Sequence, residues 1–344
     1  MKNTVKVLVF FISAISLSAV YALLYKQQIG APVKAEWWLK ETVIKKTDLL
    51  SKVKSPERIV IISGSNSLFG FDSSVIEEGT GIPTFNFGLH ASLDMSYLSK
   101  VASNIAKKGD IFVAPLEYTY YVRKSMYSDW FINNMIAWGA DYLHGLDIFD
   151  QASFIAHTDA RRVFEGLLTP KRRVLTSEHD IKRFIPTGVY RGYSYKSIKR
   201  NGDIITPENQ TSHVKSLMSN IDAEGSPLTY ESSSKPAKYS IDQIIKLKEA
   251  IESKGAKLIL IWPASIKSES FNEMNESSSH FISEIKREVS EEGIDIHCKP
   301  YEFNLDSKYF FDTYYHLNKS GEELRANKVL DCLRREVIAP IHGA

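Results

Sequence analysis

Only two cysteines occur in 344 residues, Cys298 and Cys332. So few exclude a disulfide-framework domain. They could pair in an oxidising compartment or stay as buried thiols, and the thiols are the favoured expectation. No Cys/His cluster has zinc-ligand spacing, so neither a structural metal nor any other cofactor is expected. His90, His144, His157 and His297 lack partners at a useful spacing and read as structural or surface residues. Excess charge is small: 43 Lys and Arg against 41 Asp and Glu give a formal net charge of +2, without a long basic run. That argues against a nucleic-acid surface. Internal repeats and low-complexity tracts are absent. Asn209-Gln210-Thr211 and Asn275-Glu276-Ser277 match the N-glycosylation pattern, which is common by chance.

One long hydrophobic run is present. Val5–Tyr25, VKVLVFFISAISLSAVYALLY, is uncharged apart from Lys6, and about twenty such residues cross a hydrocarbon core as a helix. Lys2 and Lys6 at its start favour a cytoplasmic N-terminus and an exported remainder. Val20-Tyr21-Ala22 would serve as a signal-peptide cleavage site. The apolar run continues through Leu23 and Leu24, however, which favours an uncleaved anchor over residues 1–26. Residues 27–57 are polar and basic and read as a stalk or short helix. Trp37 and Trp38 within them suit either the membrane interface or packing on the domain.

From Arg58 the pattern alternates. Arg58–Ile62, Thr84–Phe87 and Ile111–Ala114 read as strands, with helices at Ser73–Glu78 and Asp94–Lys107 between them. Asp94 is placed to cap the second helix, whose apolar positions are Met95, Leu98, Val101 and Ile105. After residue 236 come a helix at Ile241–Lys254, a strand at Lys257–Trp262 and an amphipathic helix within Glu269–Glu291. A strand at Ile294–His297 and a final helix at Lys319–Arg335 follow. The alternation predicts an α/β domain over residues 58–344, three-layered, with a mainly parallel sheet. Residues of about 119–236 read as an insert, with helical stretches around Trp130–Tyr142 and Ile148–Glu165 and a surface loop at Ser226–Pro236. Its Tyr190-Arg191-Gly192-Tyr193-Ser194-Tyr195 is either an ordinary aromatic loop or a surface for stacking on sugar rings.

The stretch that organises the rest is Ile59–Asp72, IVIISGSNSLFGFD. A buried strand breaks into small residues at its C-terminal end, the edge where open α/β sheets place their chemistry. Ser65 is a candidate nucleophile there if a base reaches it; the plainer role is a turn or cap serine. Far downstream, Phe311–Gly321 (FDTYYHLNKSG) offers His316 as base and Asp312 to orient it.

Together these two stretches resemble the SGNH (GDSL-like) hydrolase superfamily. That family opens with a Gly-Asp-Ser-type turn after its first strand and closes with an Asp-x-x-His before its last helix. Ser63-Gly64-Ser65 puts Ser65 at the nucleophile position, Gly70 follows at the spacing of a Gly-Ser-x-x-x-x-Gly variant, and Ser67 is the fallback. Asp312 and His316 are separated by three residues where the family has two. The resemblance implies a flavodoxin-like fold, catalytic Ser65, Asp312 and His316, and oxyanion donors in the backbone N–H groups of Ser65 and Gly88. The family's third block supplies an asparagine, which Ala114-Pro115-Leu116-Glu117-Tyr118 lacks. Asn66 is the candidate substitute. Glu117 could bind a hydroxyl or a cation, or be an ordinary paired carboxylate.

Within that superfamily the chain is most similar to membrane-anchored proteins that accompany polysaccharide O-acylation or teichoic acid D-alanylation. The resemblance implies a serine acyltransferase or esterase on the outer side of a bacterial cytoplasmic membrane. It would move acyl groups, in the first place acetyl, on a cell-surface polysaccharide, with a polytopic membrane O-acyltransferase as partner. Two other readings stand beside it. One is a catalytically degenerate SGNH scaffold that binds polysaccharide or an export complex. The other is a membrane-tethered lipid esterase, which would need a strongly apolar groove where the middle third is rich in Tyr, Arg and Lys.

Overall fold

The computed structural model describes residues 2–169, 194–210, 212–223 and 225–338. The chain divides into two compact units: Met1–Trp37 with Tyr127–Phe184, and Trp38–Met126 with Ile185–Ala344.

The first unit is helical. Its first helix, Lys2–Gln28, is apolar and long enough to cross a membrane from Asn3 onward. Among its described residues four shorter helices follow, at Asp129–Trp138, Ala140–His144, Ile148–Ala156 and Ala160–Leu168. Three of them start where a side chain caps free backbone amides: Ser128 accepts from Phe131 N, Asp147 from Phe149 N and Asp150 N, and Asp159 from Arg162 N. Phe131, Tyr142 and Phe154 pack edge to face inside this group, with Phe131 5.6 Å from Tyr142 and 6.1 Å from Phe154. The residues just after the long helix belong to the same packing. Arg162, buried, donates to the Gln28 side chain and to the Ala31 carbonyl, and Trp130 Nε1 donates to Glu36 Oε1 at 2.8 Å.

The second unit is built on a parallel sheet. Its strands are β1 Ile59–Ile61, β2 Thr84–Asn86, β3 Ile111–Pro115, β4 Lys257–Ile261 and β6 Ile296–His297, in the order β2-β1-β3-β4-β6. Ile59 lies opposite Thr84 on one side and Ile111 on the other, Ile111 pairs with Lys257, and Leu260 with Ile296. β1, β2 and β3 are buried along their whole length, and β1 and β3 accordingly read as unbroken apolar runs. Helix Met95–Ile105 packs on helix Lys238–Glu252, and helix Ser73–Thr80 packs on helix Lys319–Leu333. Asp94 caps the first of these through Ser96 N. At the amino ends of β1 and β3 the buried Arg58 guanidinium meets Asp110 through two contacts, 2.8 and 2.5 Å. A second small sheet, β5 Ser265–Ile266 with β7 Asn304–Leu305, lies outside every expected strand. Two residues carry no periodicity to read.

One expectation narrows and one changes. Of the stalk or short helix expected over residues 27–57, the structure has the helix, Trp37–Ser51, and its residues 38–51 are part of the sheet-bearing unit, with Leu39, Thr42, Lys46 and Leu50 buried at helical spacing. Trp38 packs on the cluster of Leu68, Phe69, Ile198, Ile204 and Phe311. And Cys298 and Cys332 are not thiols: they form a disulfide with a Cα–Cα distance of 5.5 Å, joining the end of β6 to the last helix. Their separation of 34 residues hid the pairing, since only the sheet brings them together. Of the aromatic loop, residues 190–193 lie outside the described residues, as does Thr211 of the first glycosylation pattern.

Candidate functional site

All five strands of the sheet are parallel, so their carboxyl ends share one edge, and the singled-out residues gather there. β1 runs into Ser63 and then a short helix, Ser65–Leu68. The turn is held by a carboxylate. Glu117, at the end of β3 and fully buried, places Oε2 2.8 Å from Ser63 Oγ and 3.2 Å from Gly64 N. Its Oε1 accepts from Asn66 N at 2.8 Å. A β-carbon on Gly64 would sit 2.5 Å from Glu117 Oε1, so glycine is what admits the carboxylate. From the last helix, buried Arg325 donates to the Asn66 carbonyl and to Asn66 Oδ1, 2.6 Å each. It also reaches the Gly70 carbonyl at 3.3 Å and lies over the Phe71 ring, 4.1 Å from its centroid. Burial pushes the Arg325 guanidinium down to about 9, with Glu117 and Glu322 acting against the shift.

Ser65 sits at the first helical position of this turn, 7 % exposed. Among the described residues its Oγ has no hydrogen-bond partner. Its backbone N–H is also uncommitted, unlike those of Gly64 and Asn66 on either side. Ser67 Oγ is buried without a partner.

The second half of the site is the loop before the last helix. Asp312 Oδ1 lies 2.8 Å from His316 Nδ1. Three intervening residues fit because the loop folds into a turn: Thr313 Oγ1 accepts from Tyr315 N and His316 N, and Phe311 N donates to the His316 carbonyl. The imidazole lies 4.6 Å from the Phe69 ring and 5.7 Å from the Phe311 ring, between centroids. Leu317 N donates to the Phe69 carbonyl at 2.8 Å, which ties the loop to the segment carrying Ser65. Asp312 and His316 are thus a bonded pair, and Ser65 is on the adjoining segment without a hydrogen bond to either.

The other three expected site residues are committed elsewhere. Gly88 N donates to Asn86 Oδ1 at 2.8 Å, so it is not a free oxyanion donor. The Gly88 backbone instead packs on Ser67 and Leu68, where an added Cβ would come within 2.3 Å of Leu68 N. The Asn66 side chain donates Nδ2–H to the Pro115 carbonyl at 2.8 Å and accepts from Arg325 at Oδ1. Glu117 spends both oxygens on the turn and is closed to solvent, which is the geometry of a residue that holds the turn. Ser65 N–H is what remains of the expected donors.

Two buried cations at this edge were not singled out. Arg325 shares the buried side of its helix with Glu322, Ala326 and Val329. Lys46 donates Nζ to the Gly88 carbonyl at 2.8 Å, and burial pushes it down to about 7, with Asp203 acting against the shift. Each is a charged residue inside an apolar stripe, and that was the available signal. Asp203 is a buried carboxylate of the same unit, outside any helix. It accepts from Ser73 N and Oγ and from the Asn86 and Asn201 side chains, and its carboxyl is raised by burial. Among the described residues no group of three or more His, Cys, Asp or Glu is arranged to hold a metal ion. Comparison with family models and with curated proteins found no match.

Proposed function

We propose that the chain is an SGNH-type serine enzyme that transfers or hydrolyses O-acyl groups, most simply acetyl, on a cell-surface polysaccharide. The observation that carries this reading is the 2.8 Å Asp312–His316 pair on a loop bonded to the Ser65 segment at the carboxyl edge of the sheet. The parallel strand order β2-β1-β3-β4-β6 and the two helix pairs support the proposal of a flavodoxin-like three-layer domain.

In this mechanism the Asp312 carboxylate accepts Nδ1–H of His316, which leaves Nε2 as the base. Nε2 takes the Ser65 proton as Oγ attacks the acyl carbonyl. The tetrahedral oxyanion is met by Ser65 N–H, and its collapse gives an acyl-serine and releases the donor alcohol, protonated by His316. A sugar hydroxyl or water, deprotonated by His316, then accepts the acyl group. Catalytic hydrogen bonds are often long before substrate arrives, so a serine not yet bonded to its base is compatible with this chemistry.

Residues Tyr21–Ala31 pack into the first unit, with Tyr25 and Ala31 buried, which favours an anchor that stays attached. The disulfide favours the oxidising side of the membrane, in line with Lys2 and Lys6 marking the inner side. A polytopic membrane acyltransferase remains the partner implied by the SGNH resemblance.

A second reading, a degenerate scaffold, is favoured by one observation: Gly88 N and the Asn66 amide are both occupied. Fluorophosphonate labelling of the full-length chain in detergent separates the two. The enzyme reading expects labelling in the wild type and in Ser67→Ala, and none in Ser65→Ala or His316→Ala. A folded wild type that resists the probe would sink it in favour of the scaffold.

A further inference from the structure

Among the described residues, five of the eight exposed large hydrophobic side chains outside the N-terminal helix fall within one short stretch of chain; Ile44, Val122 and Met274 are scattered singly. Ile148, Phe149, Phe164, Leu167 and Leu168 are exposed large hydrophobic residues, all on two consecutive helices of the first unit. Phe149 is 82 % exposed and Leu168 69 %. Exposed aromatic and aliphatic side chains gathered this way mark an interaction surface.

Each helix sorts its residues by direction. In Ala160–Leu168, Arg162, Val163 and Gly166 face inward and are buried. Phe164, Leu167 and Leu168 recur at three- and four-residue spacing on one outer flank, and Arg161 and Glu165 form an ion pair on the other. In Ile148–Ala156, Phe154 points into the aromatic core. Ala152, Ile155 and Ala156 turn away from it and line an apolar groove of about 630 Å³.

The opposite wall of that groove identifies its surroundings. It is made by Leu17, Val20, Tyr21 and Leu24 of the long N-terminal helix. Tyr21 Oη also donates to the Thr158 carbonyl, at the turn between the two short helices, at 2.6 Å. A hydrocarbon core of roughly 30 Å takes about twenty helical residues at 1.5 Å each, the length of Val5–Leu24. Leu17–Leu24 then occupies roughly the last 10 Å of that core. Helices packed against those residues lie at the same depth, where their unpaired apolar side chains meet acyl chains and headgroups instead of water.

We propose that Ile148–Leu168 is a second membrane-contact element, a pair of amphipathic helices that lies in the bilayer interface beside the anchor. Phe149, Phe164 and Leu168 enter the acyl boundary, and Arg161 with Glu165 stays on the water side. The arrangement fixes the first unit against the membrane surface, which a single helix on a flexible tether would not do. It rests on the anchor being inserted, and the test below reads that separately.

Both native cysteines are in the disulfide, so a third, introduced one can carry a nitroxide label. The full-length chain is labelled at Leu8→Cys, Phe149→Cys, Phe164→Cys, Leu168→Cys or Arg161→Cys and reconstituted in phosphatidylcholine–phosphatidylglycerol vesicles. Collision with oxygen, which concentrates in lipid, is compared with collision with a water-soluble nickel chelate. The oxygen-to-nickel ratio at positions 149, 164 and 168 is expected to exceed that at 161 by several-fold and to fall below that at 8. Ratios at 149, 164 and 168 equal to that at 161, with position 8 still in lipid, overturn the interfacial element and leave the anchor standing. Protection from both reagents at these positions also overturns it, because protein then covers the face. A water-like ratio at position 8 removes the anchor itself.

Discussion

Arg325 reaches across 259 residues of sequence to hold Asn66 twice, through its carbonyl and its side-chain oxygen, at 2.6 Å each. The last helix thereby clamps the turn that carries Ser65, next to the loop that carries His316. Guanidinium geometry matters here, because one planar group serves acceptors on both sides of a turn.

Arg325→Met is expected to lower stability by about 2–4 kcal/mol, since it leaves buried carbonyl oxygens without donors. Arg325→Lys keeps the charge and one of the bonds, so its loss should be smaller. If Ser65 depends on the clamp, probe labelling falls in both variants even at temperatures where each is folded. Circular dichroism melts run beside labelling rates separate the two effects. Full labelling in a folded Arg325→Met would show that the turn holds its shape without the clamp.

Glu117 gives a sharper contrast. It accepts from Ser63, Gly64 and Asn66 at once, so Glu117→Gln turns an NH2 group toward donors and is expected to cost about 1–3 kcal/mol. A carboxylate that bound substrate would behave differently: its amide variant would raise KM and leave the melting temperature alone. Measuring both on Glu117→Gln decides between holding the turn and touching the substrate.

What was legible in the sequence divides along physical lines. The apolar run Ile59–Ile62 and the small residues after it are local, and β1 with its turn stands where they placed it. Asp312 and His316 were visible as residue types in one loop, and their side chains do meet. The long apolar helix could be read from composition alone. The roles of Gly88, Asn66 and Glu117 could not, because each depends on which neighbour takes its hydrogen bonds, and those neighbours come from other strands. Glu117 looks like any acidic residue after a strand until Gly64 is seen to leave room for it. Lys46 and Arg325 were legible only as charges in buried stripes, a pattern that flags a residue without naming its partner.

The Cys298–Cys332 disulfide closes a loop of 34 residues. The loop-entropy model assigns such a cross-link about 3–4 kcal/mol. Reductant is therefore expected to lower the denaturation midpoint of the wild type to that of the Cys298→Ser/Cys332→Ser variant, and to leave the variant unchanged. Equal midpoints for oxidised and reduced wild type would mean that the last helix is held by its packing alone, through contacts such as those with helix Ser73–Thr80.

Lys46 should leave a signature in pH. Burial lowers its ammonium from the ordinary 10.5 to about 7 in the folded protein. Between those two values the unfolded chain binds the proton and the folded chain does not, so stability rises with pH across this window. Below about 7 both states are protonated and the full penalty of burying the cation is present. Lys46→Met removes the titrating group at similar length and leaves the Gly88 carbonyl without its donor. Wild type is thus expected to gain a few kcal/mol relative to Lys46→Met between about pH 7 and 10.5, with the difference flat below 7. Denaturant midpoints for the pair at pH 6, 8 and 10 check this, since groups common to both proteins cancel. A difference constant across the three would mean that water reaches Nζ and that the lysine behind the Gly88 turn keeps its charge throughout.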